Sequence, residues 1–349
     1  MDKPLLTICI PAYNRPDTLS EVLESIKKQN SAEIRVIVSD DASPDANAMR
    51  IAVDPYLQSM ENLSYHRKES NVGYSANVIS LYEMADTRYI WFFCDDDIPL
   101  EGSIQTVLGQ IKSKEPVVAV FNHMQFDPYE RYIEAGVKHD VVYTDISQIR
   151  DYQELQRITF LSVLVVEKRD ISLEQLKQTD YTNNVFVQLT LSLMLLSDKF
   201  RYCQLAKPIL HRNVGYNYGD FFKFYIVDHL RAVNIVKTKF DPNKFLFWSF
   251  RHLPIAFNLY LSQKLGLYAY RKRPTLKTIK DIFRYWGALG ILPIVIPVVS
   301  FFIPSILLKG IFMLMLIKDH GYERAKYLYA KNINRAYNDT RKTGFINYR

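Results

Sequence analysis

The sequence is short of cysteine, glycine and proline, and each shortage excludes something. Three cysteines in 349 residues, Cys9, Cys94 and Cys203, stand far apart with no CxxC pair and no histidine cluster beside them. That argues against a disulfide framework and a structural zinc site, and makes a reducing compartment the expectation. With 12 glycines and 15 prolines there is no glycine-rich linker or low-complexity tract, and no internal repeat. The start, Met1-Asp2-Lys3-Pro4, runs straight into an apolar stretch. It lacks the basic, apolar and small-residue regions of a secretory signal, so this end is expected to stay in the cytoplasm. Acidic residues are scarce only late in the chain: residues 201–349 hold 25 Lys and Arg against 7 Asp and Glu, a balance of +18, whereas residues 1–200 hold 19 against 30, a balance of −11. The total of +7 thus hides an acidic part suited to a metal and a basic part suited to anionic lipid or nucleic acid.

What is present is apolar surface, 48% of residues, enough for more than one core. Leu5 to Ile10 reads as a buried strand stopping at Pro11, and Leu19, Val22, Leu23 and Ile26 recur at helical spacing after a possible N-cap, Asp17. Strands follow at Ile34–Val38, around Leu63 to Arg67 and at Tyr89–Phe93, with a helix around Ser75 to Met84 before the last. This βαβαβαβ order predicts an α/β, Rossmann-like domain with a mostly parallel sheet and ligands at the carboxyl ends of its strands. Asp40 and Asp41 leave one strand and Asp95, Asp96 and Asp97 another, so five carboxylates share one crevice. They would repel one another without a cationic or hydrogen-bonding partner. A divalent Mg²⁺ or Mn²⁺ completed by diphosphate oxygens is one solution, and a pyrimidine N–H is another. The plain alternative is acidic residues ending strands in solvated loops.

Pro11-Ala12-Tyr13-Asn14-Arg15, Val38-Ser39-Asp40-Asp41-Ala42-Ser43-Pro44-Asp45, Asn71-Val72-Gly73-Tyr74-Ser75-Ala76-Asn77 and Phe93-Cys94-Asp95-Asp96-Asp97 resemble, in order, the motifs of family 2 glycosyltransferases of the GT-A fold. Their wording is most like the abequosyltransferase-like branch that serves O-antigen and capsule assembly. The resemblance covers residues 4 to 110 well and extends more loosely to about 215. It implies that Pro11, Ala12, Tyr13 and Arg15 border a nucleotide-sugar donor, that Asp40 or Asp41 reads the base, and that Arg67 and Asn71 border nucleotide and sugar. Asp95 and Asp97 match the outer positions of the metal-holding DxD motif, with Asp96 between them. As alternatives, Arg15 and Arg67 are solvated strand-end cations, and Asn71 and Gly73 form a turn.

Inverting members of this family carry an acidic residue about 80 to 100 positions after the DxD to deprotonate the acceptor hydroxyl. Here that window, Gln178 to Gln188, holds amides and one carboxylate, Asp180, which is either the base or an N-cap for an apolar helix over Val185 to Leu196. His211, after a short apolar strand, either completes the metal or diphosphate site or is structural. The Gln-x-x-Arg-Trp motif of processive synthases is absent, which favours addition of a single sugar.

Residues 287–317 carry one charge, Lys309, and 287–308 carry none, enough to cross a core of about 30 Å at about 1.5 Å per residue. Pro293, Pro297 and Pro304 interrupt the run, and Lys277, Lys280 and Arg284 before it match Lys318, Arg324 and Lys326 after it. Equal basic flanks favour a re-entrant hairpin over one span or a buried soluble helix. Aromatic and basic residues at 245–251 and 265–273 suit a headgroup layer better than single-stranded nucleic acid. The expected organisation is a GT-A domain over 1–220, with a nucleotide-sugar half (1–110) and an acceptor half (111–220), then a helical, basic, membrane-associating region over 221–349. The expected activity is transfer of one sugar to a lipid-linked, undecaprenyl-diphosphate acceptor at the cytoplasmic face of the inner membrane, with no nucleic-acid partner. The rivals are a sugar nucleotidyltransferase and an inactive GT-A scaffold. Oligomeric state, donor sugar and anomeric outcome are not read from the sequence.

Overall fold

The structure is a computed structural model that describes residues 3–126, 132–149, 152–171, 174, 176, 181–212 and single helical positions at 307, 310, 313, 314, 317, 322 and 326. Two compact units divide the chain, Met1–Gly215 with Ala232–Pro242, and Tyr216–Arg231 with Asn243–Arg349. Almost all described residues belong to the first. Among the described residues no helix is long and apolar enough to cross a membrane. The apolar run 287–317 and the aromatic-basic stretches lie outside the described residues, save for the single positions above.

The first unit is a ten-stranded sheet with helices against it. Its opening follows the expected alternation: β1 Leu6–Ala12, α1 Pro16–Lys28, β2 Ile34–Asp40, α2 Ala46–Leu57, β3 Leu63–Arg67, α3 Tyr74–Met84 and β4 Tyr89–Phe92. Then come β5 Ile98–Pro99, α4 Ser103–Lys114, β6 Val118–Phe126, β7 Tyr132–Ala135, β8 Val141–Tyr143, β9 Leu164–Glu167, a buried helix Val187–Asp198 and β10 Tyr202–His211. The sheet order is β3-β2-β1-β4-β9-β6-β10-β5, with β7 beside β6 and β8 beside β10. Pairs β3/β2, β2/β1, β1/β4 and β6/β10 are parallel, and β9 runs antiparallel between β4 and β6. Because β9 is reversed, the carboxyl ends of β4 and β6 and the start of β9 meet at one edge. Both halves of the domain therefore open onto the same crevice.

The helices that build this frame are amphipathic where they meet it. Leu19, Val22, Leu23 and Ile26 of α1 are all buried, each contributing about 1.5–3 kcal/mol of apolar burial. The helix begins with Pro16 at its first position and Arg15 at its cap, two residues earlier than the Asp17 cap expected. Proline suits that first position because its missing N–H has no helical partner there, and Asp17 sits in the first turn where its charge complements the dipole. The strand before it does not stop at Pro11. It continues to Ala12 because Pro11 lies in register with Ser39, while β4 ends its pairing with β1 at Phe92 opposite Cys9. In a strand that sends alternate N–H groups to opposite sides, the one Pro11 lacks falls on the side β4 has vacated. The late apolar helix starts at Val187 rather than Val185, after Asn184 accepts the Phe186 N–H on its Oδ1 (2.9 Å).

Candidate functional site

The vacated side of β1 is where the acidic crevice begins. The next N–H on that side, Tyr13, donates to Asp95 Oδ2 (3.1 Å), and Arg15 Nη1 donates to Asp95 Oδ1 (2.9 Å) and Asp96 Oδ2 (3.0 Å). Arg15 caps α1 without using its side chain there, which leaves the guanidinium for the carboxylates. Asn14 and Ala42 adopt positive φ, 56° and 54°, and the turns they make are tied together by Asn14 N–H to Ser43 Oγ (2.8 Å). Such conformations in non-glycine residues are held by their surroundings and concentrate at functional sites.

Asp40 and Asp41, side by side in sequence, do different work. Asp40 is fully buried. Its Oδ1 accepts from the Ser43 N–H (2.9 Å) and hydroxyl, and its Oδ2 from Tyr65 Oη (2.7 Å) and Arg67 Nη1. Arg67 reaches on with Nη2 to the Ser43 carbonyl (2.8 Å), so the loop after β2 is pinned to β3. With both oxygens filled by protein donors, Asp40 shapes the loop and offers nothing to a nucleobase. Asp41 accepts Val72 N–H on Oδ1 (2.8 Å) and Gly73 N–H on Oδ2 (2.9 Å), one bond per oxygen. Gly73 has φ 87°, a conformation that favours glycine, and Asn71 beside it is exposed. Arg67 and Gly73 thus carry a structural load, and Asn71 stands at the crevice rim.

At the end of β4 the three aspartates also separate in role. Asp95 is committed to Tyr13 and Arg15. Among the described residues, the groups whose ligand atoms lie within 4.8 Å of one another are Cys94, Asp96 and Asp97, so this metal-type cluster uses the middle and last aspartates where the sequence pattern pointed to the first and last. The reason is tertiary: the open edge of β1 supplies a fixed N–H to Asp95. Asp97, nearly buried, accepts from Ser162 Oγ (2.5 Å), which in turn accepts the Cys94 N–H (3.0 Å), and Trp91 Nε1 holds the Ser162 carbonyl (2.8 Å). Ser162 comes from the segment before β9, 65 positions away, and no sequence signal marked it.

Burial dominates the electrostatics. It pushes the Asp95 carboxyl up to about 6, with Arg15 pulling down and Asp96 pushing up. Asp96 is raised by burial too, opposed by Arg15 and then Arg212. The Cys94 thiol is driven well above its ordinary value by burial and by Asp97 and Asp96. It remains protonated and is a poor ligand. Two carboxylates therefore make up the hard-oxygen part of the cluster, a donor set that fits Mg²⁺ or Mn²⁺ with positions left for ligand oxygens.

His211 closes β10 opposite Ile98, the residue after Asp97, with burial lowering its pKa. The structure therefore brings it to the edge of the crevice, although it does not enter the cluster of Cys94, Asp96 and Asp97. Pro11 and Ala12 are buried strand residues, and Tyr13 and Arg15 are half-buried. Asp180 lies outside the described residues. Gln188, in the amide-bearing window, links Tyr74 Oη (3.5 Å) to the Thr159 carbonyl (2.7 Å) across the crevice wall. Arg212 was passed over by sequence reasoning although it directly follows His211 at a strand end, and that position was the signal.

A largely parallel-stranded α/β domain with a carboxylate cluster and an arginine at its strand ends has the chemistry that suits a phosphorylated ligand with a divalent cation. Residues 7–164 match the family model "Glycosyl transferase family 2". Over 115 residues the chain is 30% identical to abequosyltransferase RfbV of Salmonella typhimurium, covering 32% of this chain and 34% of that protein. Over 121 residues it is 26% identical to the GalNAc(5)-diNAcBac-PP-undecaprenol beta-1,3-glucosyltransferase of Campylobacter jejuni, covering 34% and 38%. The chain thus matches little more than a third of either relative's length. Among solved structures, S. aureus TarS 1-349 in complex with UDP-GlcNAc aligns with a TM-score of 0.58 at 15% identity over 99% of this chain and 94% of that one. That likeness shows the fold.

Proposed function

We propose that the chain is a glycosyltransferase that moves a single sugar from a nucleoside-diphosphate donor to a lipid-linked glycan acceptor in bacterial surface polysaccharide assembly, working at the cytoplasmic face of the inner membrane. The observation that carries this reading is the convergence of Arg15 from β1 with Asp95, Asp96 and Asp97 from β4 inside the segment that matches the family 2 model. Relatives named for sugar transfer, one of them acting on an undecaprenol-diphosphate glycan, and a UDP-GlcNAc complex of the same fold support the donor and acceptor classes. The basic and apolar second part of the sequence supports the membrane placement.

In this reading the Pro11–Arg15 turn walls the nucleotide, and Asp41 offers a base or ribose group the acceptor capacity its two backbone bonds leave over. Asp96 and Asp97 would hold Mg²⁺ or Mn²⁺, which would supply charge neutralisation for the departing diphosphate. Ser162 fixes the direction of Asp97, and Tyr13 and Arg15 keep Asp95 from swinging into the cluster. Arg15 adds a positive charge where negative charge grows as the glycosidic bond breaks, which lowers the barrier more than it tightens ground-state binding. Asp180 is the candidate base for the acceptor hydroxyl. The test is incubation of the full chain in detergent with Mn²⁺ and UDP-, dTDP-, GDP- and CDP-sugars, with and without a bacterial lipid extract. Lipid-dependent, EDTA-sensitive release of nucleoside diphosphate is expected with one donor base. Release of pyrophosphate instead would identify a nucleotidyltransferase, and binding without turnover of any donor would identify a scaffold.

A further inference from the structure

The acidic crevice has a basic flank that the catalytic reading leaves idle. Arg212, the first residue after β10, anchors its backbone N–H on the Met124 carbonyl (2.8 Å) and lays its guanidinium 5.0 Å from the centre of the Phe160 ring. His123 of β6 packs edge-on to the same ring, with centroids 4.9 Å apart and planes at 77°. Arg157 acts on His123 from the segment leading to β9, and its own donors go to neutral groups: Asn122 Oδ1 (2.7 Å), the Phe121 carbonyl (3.4 Å) and Gln204 Oε1 (3.4 Å). Among the described residues no carboxylate forms an ion pair with Arg157, His123 or Arg212. The nearby acids are engaged elsewhere: Asp96 with Arg15, Glu134 with Asn122 and Glu154 with Tyr143. Neither ring nitrogen of His123 has a hydrogen-bond partner of normal geometry although both are buried, and the Gln125 side chain two positions along the strand favours the charged ring against burial and the two arginines.

Arg212 and Arg157 are part-buried and form no ion pair among the described residues: Asp96 acts on Arg212 through its charge without touching it, and Arg157 is held by neutral acceptors, so the Arg212 guanidinium has lost hydration that no contacting carboxylate replaces. A ligand anion supplies what is missing at Arg212, through the planar donors of its guanidinium. Burial and then Arg212 push His123 down to about 4, so it is a neutral donor and acceptor at working pH. The flank is built from β6, β10 and the segment before β9, on the β10 side of Asp96, whereas the donor-side turns come from β1 and β2. We propose that Arg212, laid on the Phe160 ring with His123 packed against the same ring and Arg157 adding positive charge behind it, forms a subsite for an anionic group of the acceptor, a phosphate or a carboxylate, beside the aspartate cluster. This rests on the reading that the acceptor enters this crevice.

The test uses the full chain in detergent, saturated with UDP and Mn²⁺ so that donor phosphate contacts are filled, and titrated calorimetrically with inorganic phosphate. Arg212→Gln is expected to weaken phosphate binding about 10-fold or more and Arg212→Lys less, while the Kd for UDP stays within about twofold. Phe160→Leu, which keeps every charge and removes the platform, is expected to weaken it severalfold. Farnesyl diphosphate and glucuronate separate the sources: tighter binding of the first assigns the subsite to a lipid diphosphate, tighter binding of the second to an acidic sugar. Equal phosphate affinity in wild type and Arg212→Gln overturns the proposal, as does a parallel loss of UDP affinity, which would make these residues donor ligands. If UDP does not bind, the nucleoside diphosphate that does takes its place; if none of UDP, dTDP, GDP and CDP binds, the glycosyltransferase reading fails on its own, and the phosphate titration without nucleotide still reports on Arg212.

Discussion

Replacing Arg15 by Gln removes the one positive charge that Asp95 touches, and the consequence can be worked through. Asp95 has a side chain 5% exposed and Arg15 one 22% exposed, joined at 2.9 Å. Burial holds the Asp95 carboxyl at about 6 despite that arginine. A hydrogen bond to a charged group contributes about 1.5–3 kcal/mol, and partial exposure of Arg15 places this one toward the lower end. At about 1.4 kcal/mol per pKa unit, the Asp95 midpoint should rise from about 6 by roughly one unit. Because the folded value lies above the unfolded one, the stability tied to Asp95 is complete below about 4 and is lost as pH climbs through the folded midpoint. The variant should therefore match wild type at pH 4 in this contribution and fall behind by about 1–2 kcal/mol by pH 8. Carbon-detected NMR titration of the aspartate carboxyls reads the midpoint, and thermal unfolding at pH 4, 6 and 8 reads the stability. A midpoint in Arg15→Gln that stays where wild type has it, or a stability loss equal at pH 4 and pH 8, would refute the assignment of Arg15 as the charge that lets Asp95 ionise.

Asp97→Asn keeps the shape that Ser162 holds but removes a ligand charge, so turnover should fall about 10²-fold or more, with the Mn²⁺ requirement moving to higher concentration in a metal titration. Asp40→Asn leaves Ser43, Tyr65 and Arg67 with one compatible acceptor oxygen between them, and should lower stability by about 2–4 kcal/mol; Tyr65→Phe, losing one of those bonds, should cost about 1 kcal/mol. Gly73→Ala meets no neighbour within 4 Å but forces φ 87° on a side-chain residue, so a loss of about 1–2 kcal/mol should come with weaker donor binding, both measurable on one preparation. Asp180→Asn retains capping ability and abolishes proton acceptance: a fall of about 10²-fold or more in turnover with unchanged melting temperature is the base, and near-normal turnover leaves it as a cap.

The alternation of apolar strands with helical spacing was enough to place β1, β2 and β4, which are buried along almost their whole length, together with α1 and α3; β3, half-exposed beyond Leu63, was found by its place in the alternation, and α2 was implied by that alternation without residues of its own. It was also enough to send Asp40, Asp41 and Asp95 to Asp97 to one crevice, because parallel strands end on the same side. Residue order says nothing of a reversal that arrives 70 positions later. The antiparallel β9 between β4 and β6 is what joins the two halves edge to edge, and its pairing is long-range.

The division of labour among like residues belongs to the tertiary structure for the same reason. Asp40 and Asp41 are chemically identical in the sequence, yet one faces Tyr65 and Arg67 of β3 and the other the N–H groups at 72 and 73. Asp95 and Asp97 looked equivalent as the outer members of a three-residue motif, until the open edge of β1 took the first and Ser162 the second. By itself the sequence determined the composition of the site, the order of its strands and the side on which its acids emerge, because periodicity and strand polarity are local properties. Which oxygen meets which donor was decided only when distant segments closed around them, because a carboxylate's role is set by the groups within about 3 Å of it.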